Sequence, residues 1–325
     1  MIDRRWFIRA VCAGIAMHAA AARAQRAVRV PKVAGLFISK ELSGTDLVVA
    51  GLKELGYVEG RTISFEWRWW EGKPERLRSA SAELLALNPD VIVVGGSEAT
   101  RAMKEATRSI PIVFIGPSYP VEEGLVASFA RPGGNVTGVS VAMSDYVTKL
   151  LQLLLDVVPG LSEVALIWSP DNAGHVFLRR DAKAAGSVLK LKVVPVAMAS
   201  PADVEPALAA LSRGRPKALV VLPGPIPNAN AERIAELAIR LRMPSMTANK
   251  ALMERGLLVS YGPDFRDLNR RIPGYVDRIL KGARPAEMPV ERPTTFELGI
   301  NLKTAKAIGL VIPPPLLARA DTVVQ

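Results

Sequence analysis

Residues 90–116 read DVIVVGGSEATRAMKEATRSIPIVFIG and decide how the chain folds. The apolar run at 91–94 is typical of a strand buried on both faces, as parallel strands are when helices cover the sheet. A glycine pair ends the run, and Ser97 then takes the N-cap position of a helix with an acid in its first turn. A second strand at 112–115 completes a βαβ unit. The loop between its first strand and its helix is where open α/β sheets bind ligands.

The same pattern recurs on both sides of this stretch. Strand patterns also occur at 33–38, 62–69 and 136–139 in the first half and at 164–168, 193–197, 218–222 and 245–247 in the second. Helical patterns separate them, including one that ends at Phe129, and the 62–69 strand alternates as an edge strand does. The predicted fold class is therefore α/β, with two Rossmann-like lobes built on parallel sheets whose polar loops face one cleft.

The first two dozen residues have the features of an export signal. A twin-arginine pair, Arg4 and Arg5, precedes about a dozen apolar residues, which is fewer than the roughly 20 that a membrane-spanning helix needs. We expect a signal peptide over 1–24 that is cleaved before Gln25 and sends the chain to the periplasm; a membrane anchor is the alternative. The single cysteine, Cys12, lies inside this segment, so the mature chain would have no disulfide and no thiolate metal site.

The charge of the chain is strongly basic, at +11 over 325 residues. Loss of 1–24, which holds four arginines and one aspartate, would leave +8. Lysine and arginine are scattered singly, without a basic run interleaved with aromatic residues, and this argues against nucleic acid as a partner. A generally basic surface would instead favour acidic solutes.

The inventory of reactive side chains argues against catalysis. The chain has two histidines: His18 lies in the signal, and His175 is expected at the surface or as a helix cap. No Gly-x-Ser-x-Gly elbow, phosphate-binding lysine loop or His-x-x-x-His pair occurs, and two glycines alone do not make a dinucleotide fingerprint. We expect no enzyme, no cofactor and no metal site. Glu122 and Glu123 are expected in the solvated first turn of a helix.

Polar residues cluster in the loops at the carboxyl ends of the predicted strands, where α/β proteins bind ligands. The candidate ligand-binding residues are Ser39, Ser97, Glu98, Thr100, Ser118, Tyr119, Asp171, Asn172, Gly224, Asn249 and Tyr261. Ser97 and Thr100 have the alternative role of capping the helix. Trp67 and Trp69 alternate along the edge strand and are expected to pack in the core, with ligand stacking as the alternative.

Five blocks of the sequence resemble a known family. They read LKELGYVEGRTISFEWRWWEGKPERL (52–77), DVIVVGGSEATRAMKEATRSIPIVF (90–114), GLVASFARPGGNVTGVS (124–140), LLVSYGPD (257–264) and FELGINLKTAKAIGLVIPPPLLARAD (296–321). In this order, and with the export signal, they are similar to the ABC-transporter substrate-binding proteins whose better-known members bind tryptophan or tyrosine. The resemblance covers nearly the whole mature chain.

The resemblance implies a periplasmic-binding-protein-like fold of class I, with three crossings between the lobes. The N-terminal lobe would comprise 30–140 plus 264–285, and the C-terminal lobe 141–263 plus 286–325. It also implies a monomeric extracytoplasmic receptor that hands a small organic solute (an amino acid, an aromatic acid or another organic acid) to an ABC permease and its ATPase. An α/β isomerase or hydrolase that uses Glu98 as a base in the same cleft is the alternative.

The chain departs from the family pattern at two positions. Ser97-Glu98-Ala99 stands where family members often carry Thr-Pro-Ala, and an acid there disfavours the carboxylate of a plain amino acid. Ser118-Tyr119-Pro120 stands where many relatives have an acidic Asp-Pro loop. The acid that would meet an α-amino group is therefore missing at that position.

The twin-arginine pair provides the first testable prediction. Because that export route depends on both arginines, the double change Arg4→Lys and Arg5→Lys should leave uncleaved precursor in the cytoplasm, measured by fractionation and immunoblotting. Lys53→Arg with Lys73→Arg, which exchanges the same two residue types outside the signal, should be exported normally. Normal periplasmic yield from the Arg4 and Arg5 variant would contradict the prediction.

Overall fold

The computed structural model describes residues 29–40, 43–214 and 216–325, so the predicted export signal lies outside the described residues. The first sheet consists of β1 (Lys32–Phe37), β2 (Ser64–Trp69), β3 (Val91–Gly95), β4 (Ile112–Ile115) and β5 (Val136–Val139). Its strands are parallel and lie in the order β2-β1-β3-β4-β5. The strand β2 lies at the edge, as its alternating sequence predicted.

The second sheet contains the remaining strands of the described residues. They are β6 (Glu163–Trp168), β7 (Lys192–Ala197), β8 (Leu219–Val221), β9 (Ser245–Thr247), β10 (Val259–Pro263), β11 (Phe296–Asn301) and β12 (Thr322–Val324), in the order β12-β11-β10-β9-β8-β6-β7. One pair departs from the predicted parallel arrangement, because β10 and β11 are antiparallel. The chain leaves this sheet at Pro263 and returns at Phe296, directly opposite, so the returning strand must run the other way.

Helices cover both sheets. They are α1 (Thr45–Glu54), α2 (Pro74–Ala86), α3 (Gly96–Ala106), α4 (Val147–Val157), α5 (Ala173–Val188), α6 (Val204–Gly214), α7 (Pro225–Ala229), α8 (Ala231–Arg240), α9 (Lys250–Glu254), α10 (Phe265–Leu280), α11 (Leu302–Ile308) and α12 (Pro314–Leu317). In the first sheet, Val93 belongs to the same buried cluster as Ile272 of α10, whereas Val94 shares the opposite cluster with Leu84 of α2 and Met103 of α3. The apolar run at 91–94 is thus buried on both faces, as expected of a covered parallel strand.

The chain passes between the two sheets three times. The first passage connects β5 to α4, the second connects β10 to α10, and the third connects α10 to β11. The helix α10 packs on the first sheet and approaches α1 so closely that a β-carbon at Gly51 would lie 2.5 Å from Cγ of Pro273. We call the first sheet with α1–α3 and α10 the N-terminal lobe, and the second sheet with the other helices the C-terminal lobe.

The first part of the third passage, as far as Glu291, packs on the N-terminal lobe, which is further along the chain than the sequence predicted. The hydroxyl of Thr137 donates a hydrogen bond to the carbonyl of Met288 at 2.7 Å, and the Ser140 N–H donates to the Glu291 carbonyl at 2.9 Å. The sequence places residues 286–291 in the C-terminal lobe, whereas these bonds join them to the end of β5 in the N-terminal lobe. The sequence of this segment carries no periodic pattern that could have revealed its partner.

The segment between β4 and β5 forms turns, so the helix predicted to end at Phe129 is wrong. A single turn forms instead, in which the Glu123 N–H donates to the Tyr119 carbonyl at 2.8 Å. Gly124 ends this turn, because its φ of +69° lies in the left-handed region that terminates a helix. The turn fixes Glu123 in a buried position.

The aromatic residues of β2 pack in the core. Trp67 stacks on Phe65 with ring centroids 5.5 Å apart, and Trp67 and Trp69 are partly buried against the main apolar cluster, as the core interpretation predicts. Trp70, which directly follows β2, is buried on the opposite face of the sheet.

A substitution at Gly138 provides a test of how closely β4 and β5 approach each other. Its φ is +143°, and a β-carbon placed there would lie 2.1 Å from the Phe114 carbonyl oxygen. Gly138→Ala should therefore lower the free energy of unfolding by at least about 2 kcal/mol, measured by urea unfolding. Gly134→Ala is the control, because a β-carbon there meets nothing within 4 Å. Equal losses of stability in the two variants would refute this reading of the sheet.

Candidate ligand-binding site

The carboxyl ends of the strands in the two lobes face each other and form a cleft. Asn172, after β6, donates from Nδ2 to Oε1 of Glu98 in α3 at 2.9 Å. Gly72, which follows β2, closely approaches Pro225 in the other lobe. A β-carbon added to Gly72 would lie 2.9 Å from Cβ of Pro225. These contacts join the lobes directly, so the structure describes a closed arrangement.

The helix α3 begins two residues earlier than the sequence predicted. Gly95 is its N-cap residue and Gly96 its first residue, so the assignment of Ser97 as the N-cap is wrong, and no side chain caps this end. The glycine pair allows the early start, because Gly96 adopts a φ of +83°. Thr100 is fully buried and donates its hydroxyl to the Gly96 carbonyl at 2.6 Å, within the helix. Ser97 is also buried.

Glu98 is the candidate that the structure places most clearly between the lobes. Its side chain in the first turn of α3 reaches Asn172 across the cleft and keeps only partial solvent exposure. Burial raises the pKa of the Glu98 carboxyl, an effect that the hydrogen bond from Asn172 and the charge of Arg101 partly offset. The negative charge of Asp171, which is exposed next to Asn172, adds to the increase.

Glu123 is a site residue that the sequence analysis placed in solvent, and that expectation is wrong. The side chain has 0% exposure, and its Oε1 accepts a hydrogen bond from the Tyr119 N–H at 3.2 Å. Its Oε2 accepts no hydrogen bond from any described residue, and the guanidinium of Arg101 stands 3.9 Å away. Burial raises the pKa of the Glu123 carboxyl, while the Ser97 hydroxyl and the Tyr119 N–H partly offset the increase.

The N-terminus of α5 lies directly against these acids. Asn172 caps the helix by accepting from the His175 N–H at 3.0 Å. A β-carbon at Gly174 would lie 2.9 Å from Oε1 of Glu123 and 3.2 Å from Oδ1 of Asn172. Glycine at 174 is therefore what allows the helix end to approach the buried carboxylate so closely. The positive end of the helix dipole stabilises the negative charge there.

His175 is buried inside the C-terminal lobe, so the expectation of a surface or capping histidine is wrong. Its Nδ1 accepts from the Ser169 N–H at 3.0 Å, and its Nε2 lies 3.1 Å from the Pro223 carbonyl oxygen. The carbonyl can only accept, so the proton of the neutral ring is on Nε2. Burial lowers the pKa of His175 to about 4. The neutral ring joins the loops after β6 and β8, which carry Asn172 and Gly224.

A second interlobe contact lies further along α5. The hydroxyl of Tyr119, from the loop after β4, donates to Oδ2 of Asp181 at 2.7 Å, and its ring lies 5.6 Å from the ring of Phe177. Burial and the neighbouring Asp181 both raise the pKa of Tyr119, so the phenol stays protonated and remains a donor. One face of α5 thus forms the C-terminal side of the closed interface.

The other candidates lie around the same cleft. Asn249 caps α9 by accepting from the Ala251 N–H at 2.9 Å. Tyr261 stacks on Phe296 with ring centroids 5.8 Å apart, where the chain crosses between the lobes. Ser39, Ser118 and Gly224 are partly exposed in the loops after β1, β4 and β8. Glu98, Asn172 and Tyr119 therefore take part in direct interlobe contacts. A role of the remaining candidates in ligand binding stays a prediction.

A family model described as ABC transporter substrate binding protein matches residues 40–324. The chain belongs to this family. The two-lobe α/β architecture agrees with the fold class predicted from the sequence.

Several known proteins are similar to this binding protein. A tyrosine-binding protein of Clostridioides difficile is 22% identical over 262 residues, which cover 81% of this chain and 75% of that protein. The crystal structure of a conserved domain protein from Vibrio cholerae is 28% identical with a TM-score of 0.86 and covers 91% of this chain and 100% of that one. An ABC domain from Streptococcus pneumonia in complex with L-Trp is 24% identical with a TM-score of 0.84, and the match covers 90% of this chain and 99% of that one.

Metal and membrane features can be assessed for the described part of the binding protein. Within 29–40, 43–214 and 216–325, no group of three or more His, Cys, Asp or Glu side chains is arranged to hold a metal ion. In the same ranges no helix has both the length and the apolar character to cross a bilayer.

Sequence reasoning missed several residues of the interface, namely Glu123, Phe177 and Asp181. Phe177 and Asp181 are four residues apart on α5 and so share one helical face, which is a signal that the sequence contained. Glu123 gave no such signal, because its burial depends on the turn that Gly124 ends.

The buried histidine predicts how the stability of the binding protein depends on pH. The folded-state pKa of His175, about 4, lies below the value of about 6.5 for an unfolded chain. Between these two values the unfolded state binds a proton that the folded state does not, so the stability contributed by neutral His175 is present above pH 6.5 and is lost as pH falls towards 4. Going from pH 7 to pH 5 should cost about 2 kcal/mol through this residue.

Urea unfolding at the two pH values would measure this effect. His175→Gln keeps a polar side chain that does not titrate, so its loss of unfolding free energy between pH 7 and pH 5 should be about 2 kcal/mol smaller than that of the unmodified protein. An equal pH dependence in both proteins would show that His175 is not the group responsible.

Proposed function

We propose that this chain is the extracytoplasmic solute receptor of an ABC importer, which closes its two lobes on a small organic solute and performs no bond chemistry. The observation that carries the proposal is the direct contact between polar side chains of the two lobes, Asn172 with Glu98 and Tyr119 with Asp181. Family membership supports the same role. The partners would be an ABC permease and its ATPase, and the receptor would be a periplasmic monomer released from the signal at 1–24.

The mechanism is a shift of population between open and closed arrangements. The interlobe bonds can form only when the lobes are close, so an open state lacks them. Each contributes about 1 kcal/mol, which is too little to hold the lobes closed against the freedom they regain on opening. A solute that touches both lobes adds contacts that exist in the closed state alone and therefore favours closure.

The names of two relatives and an aromatic cluster near the cleft support a class of solute. One relative is named for tyrosine and one solved structure contains L-Trp, which supports an amino acid or another small, often aromatic, organic molecule. Tyr261, Tyr146 and Phe296 form an aromatic cluster where the lobes join, with Tyr146 and Phe296 centroids 5.0 Å apart. Such a cluster offers apolar surface beside the polar loops of the cleft.

The geometry gives no support to the alternative of an enzyme that uses Glu98 as a base. Glu98 is held by Asn172 across the cleft. Both ring nitrogens of His175, the one histidine in the described part of the chain, have hydrogen-bond partners inside the lobe. We therefore assign Glu98 to binding.

Closure of the lobes on a solute is the experiment that tests this function. A thermal-shift screen of the purified protein against amino acids, aromatic acids, short organic acids and amines should identify solutes that raise the melting temperature, since binding at 100 times Kd stabilises by about 2.7 kcal/mol. Small-angle scattering with the strongest of these solutes should then give a smaller radius of gyration. An unchanged radius at saturation would argue for a site within one lobe.

Two tyrosines provide a matched pair of variants for the same experiment. Tyr119→Phe removes a hydrogen bond between the lobes, whereas Tyr57→Phe removes the bond of the Tyr57 hydroxyl to Asp277 (3.0 Å), which lies within the N-terminal lobe. Loss of about 1 kcal/mol from the closed state alone should raise Kd roughly fivefold in Tyr119→Phe. Tyr57→Phe should lower the unfolding free energy while Kd stays constant. The proposal would be in error if both variants, or neither, changed Kd.

A further inference from the structure

Two helix N-termini that could bind an anionic group are already occupied by the protein itself. The N-terminus of a helix attracts a carboxylate, because its free N–H groups and its dipole are positive. At α3 the carboxylate in the first turn is Glu98. At α5 it is Glu123, whose Oε1 would lie 2.9 Å from a β-carbon at Gly174 in the first turn. A solute carboxylate would have to compete with both side chains for the same positive ends.

The charge around this point is negative. Three acids meet here, since the negative charge of Asp171 acts on Glu98 and that of Glu98 acts on Glu123. One guanidinium, that of Arg101, faces them, and it is 40% exposed. The next base on the helix, Lys104, donates its ammonium to the Gly124 carbonyl at 2.5 Å rather than to one of the three carboxylates. Three carboxylates therefore face one guanidinium where the lobes meet, so negative charge is in excess there.

One oxygen of the group lacks a donor. Oε2 of Glu123 has no hydrogen-bond partner among the described residues although the side chain has 0% exposure, and Arg101 at 3.9 Å is beyond hydrogen-bond distance. A fully buried carboxylate oxygen without a hydrogen-bond donor is costly, because the charge of Arg101 at 3.9 Å replaces only part of what the oxygen loses with its water. The other oxygen of the same carboxyl group, Oε1, would lie 2.9 Å from a β-carbon at Gly174 of the C-terminal lobe. The carboxyl group therefore stands at the interlobe boundary, where we expect a solute group to supply the donor.

Resting on the proposed function, we propose that the solute carries a positively charged nitrogen and no free carboxylate, and that the Glu98–Glu123 pair binds this nitrogen. A protonated amine supplies up to three N–H donors. These can serve Oε2 of Glu123 and the free lone pairs of Glu98 while Asn172 keeps its bond to Oε1 of Glu98. A solute of this kind balances the excess negative charge, whereas a carboxylate increases it. The two acids therefore select cationic solutes over acidic and zwitterionic ones.

Matched triplets of compounds test the charge preference. Each triplet keeps one side chain and changes the charged group: tryptamine, L-tryptophan and indole-3-propionate; tyramine, L-tyrosine and 3-(4-hydroxyphenyl)propionate; and isoamylamine, L-leucine and 4-methylpentanoate. Calorimetric titration of the purified protein should give Kd values at least tenfold lower for the amine in any triplet that binds. Tighter binding of the amino acid or the acid would overturn the inference and leave the proposed function intact. If none of the nine compounds binds, the inference is also overturned. The proposed function would then be tested on its own, by small-angle scattering with the strongest solute from the thermal-shift screen.

A conservative variant separates charge recognition from mechanical contact. Glu98→Gln removes the charge but retains an oxygen that accepts from Asn172, so interlobe closure is preserved. The amine should bind at least tenfold more weakly to this variant, and the preference over the amino acid should shrink or reverse. Glu105→Gln is the control, because Glu105 is an exposed acid on the same helix, and its Kd values should match those of the unmodified protein. Unchanged amine binding by Glu98→Gln would mean that Glu98 only holds the lobes together.

Discussion

Asn172 makes two hydrogen bonds at once, and the geometry of the site depends on them. Its Oδ1 caps α5 by accepting from the His175 N–H, and its Nδ2 donates across the cleft to Glu98. The first bond orients the amide so that the second can form, because the two ends of a planar amide group point in fixed directions. One side chain therefore couples the start of a helix in one lobe to the start of a helix in the other.

The second constraint is electrostatic. Placing carboxylates in an interface of low polarity is costly, and the raised pKa values of Glu98 and Glu123 express that cost. The positive ends of α3 and α5 and the guanidinium of Arg101 reduce it, but they leave Oε2 of Glu123 without a donor. A closed cleft with an unsatisfied acid is suited to a solute that brings its own donor, and poorly suited to one that brings another negative charge.

The rigidity of the C-terminal side comes from a neutral histidine. His175 accepts from Ser169 and donates to Pro223, so the loops after β6 and β8 are fixed relative to each other before a solute arrives. The N-terminal side is fixed differently, by the tight turn that ends at Gly124 and buries Glu123. Both sides of the cleft are thus organised within their own lobe, and closure requires only that the lobes approach as preformed surfaces.

Local patterns in the sequence were sufficient for the fold. The buried strand at 91–94, the alternation at 62–69 and the regular spacing of helices and strands predicted two α/β lobes, because these signals arise from residues that are neighbours along the chain. They also placed Glu98, Asn172 and Tyr119 in loops at the carboxyl ends of strands. What they could not give was the burial of Glu123 and His175, the start of α3 at Gly96, and the attachment of 286–291 to β5. Two of these depend on a partner far away in sequence, Pro223 for His175 and Thr137 for Met288. The other two depend on backbone conformations that no periodic pattern records, the positive φ of Gly96 for α3 and the turn that Gly124 ends for Glu123. Local sequence patterns thus establish which elements form and where polar loops cluster. Which of those polar groups lose their water depends on the folded chain, because burial and charge balance are set by contacts between lobes and loops that no local pattern records.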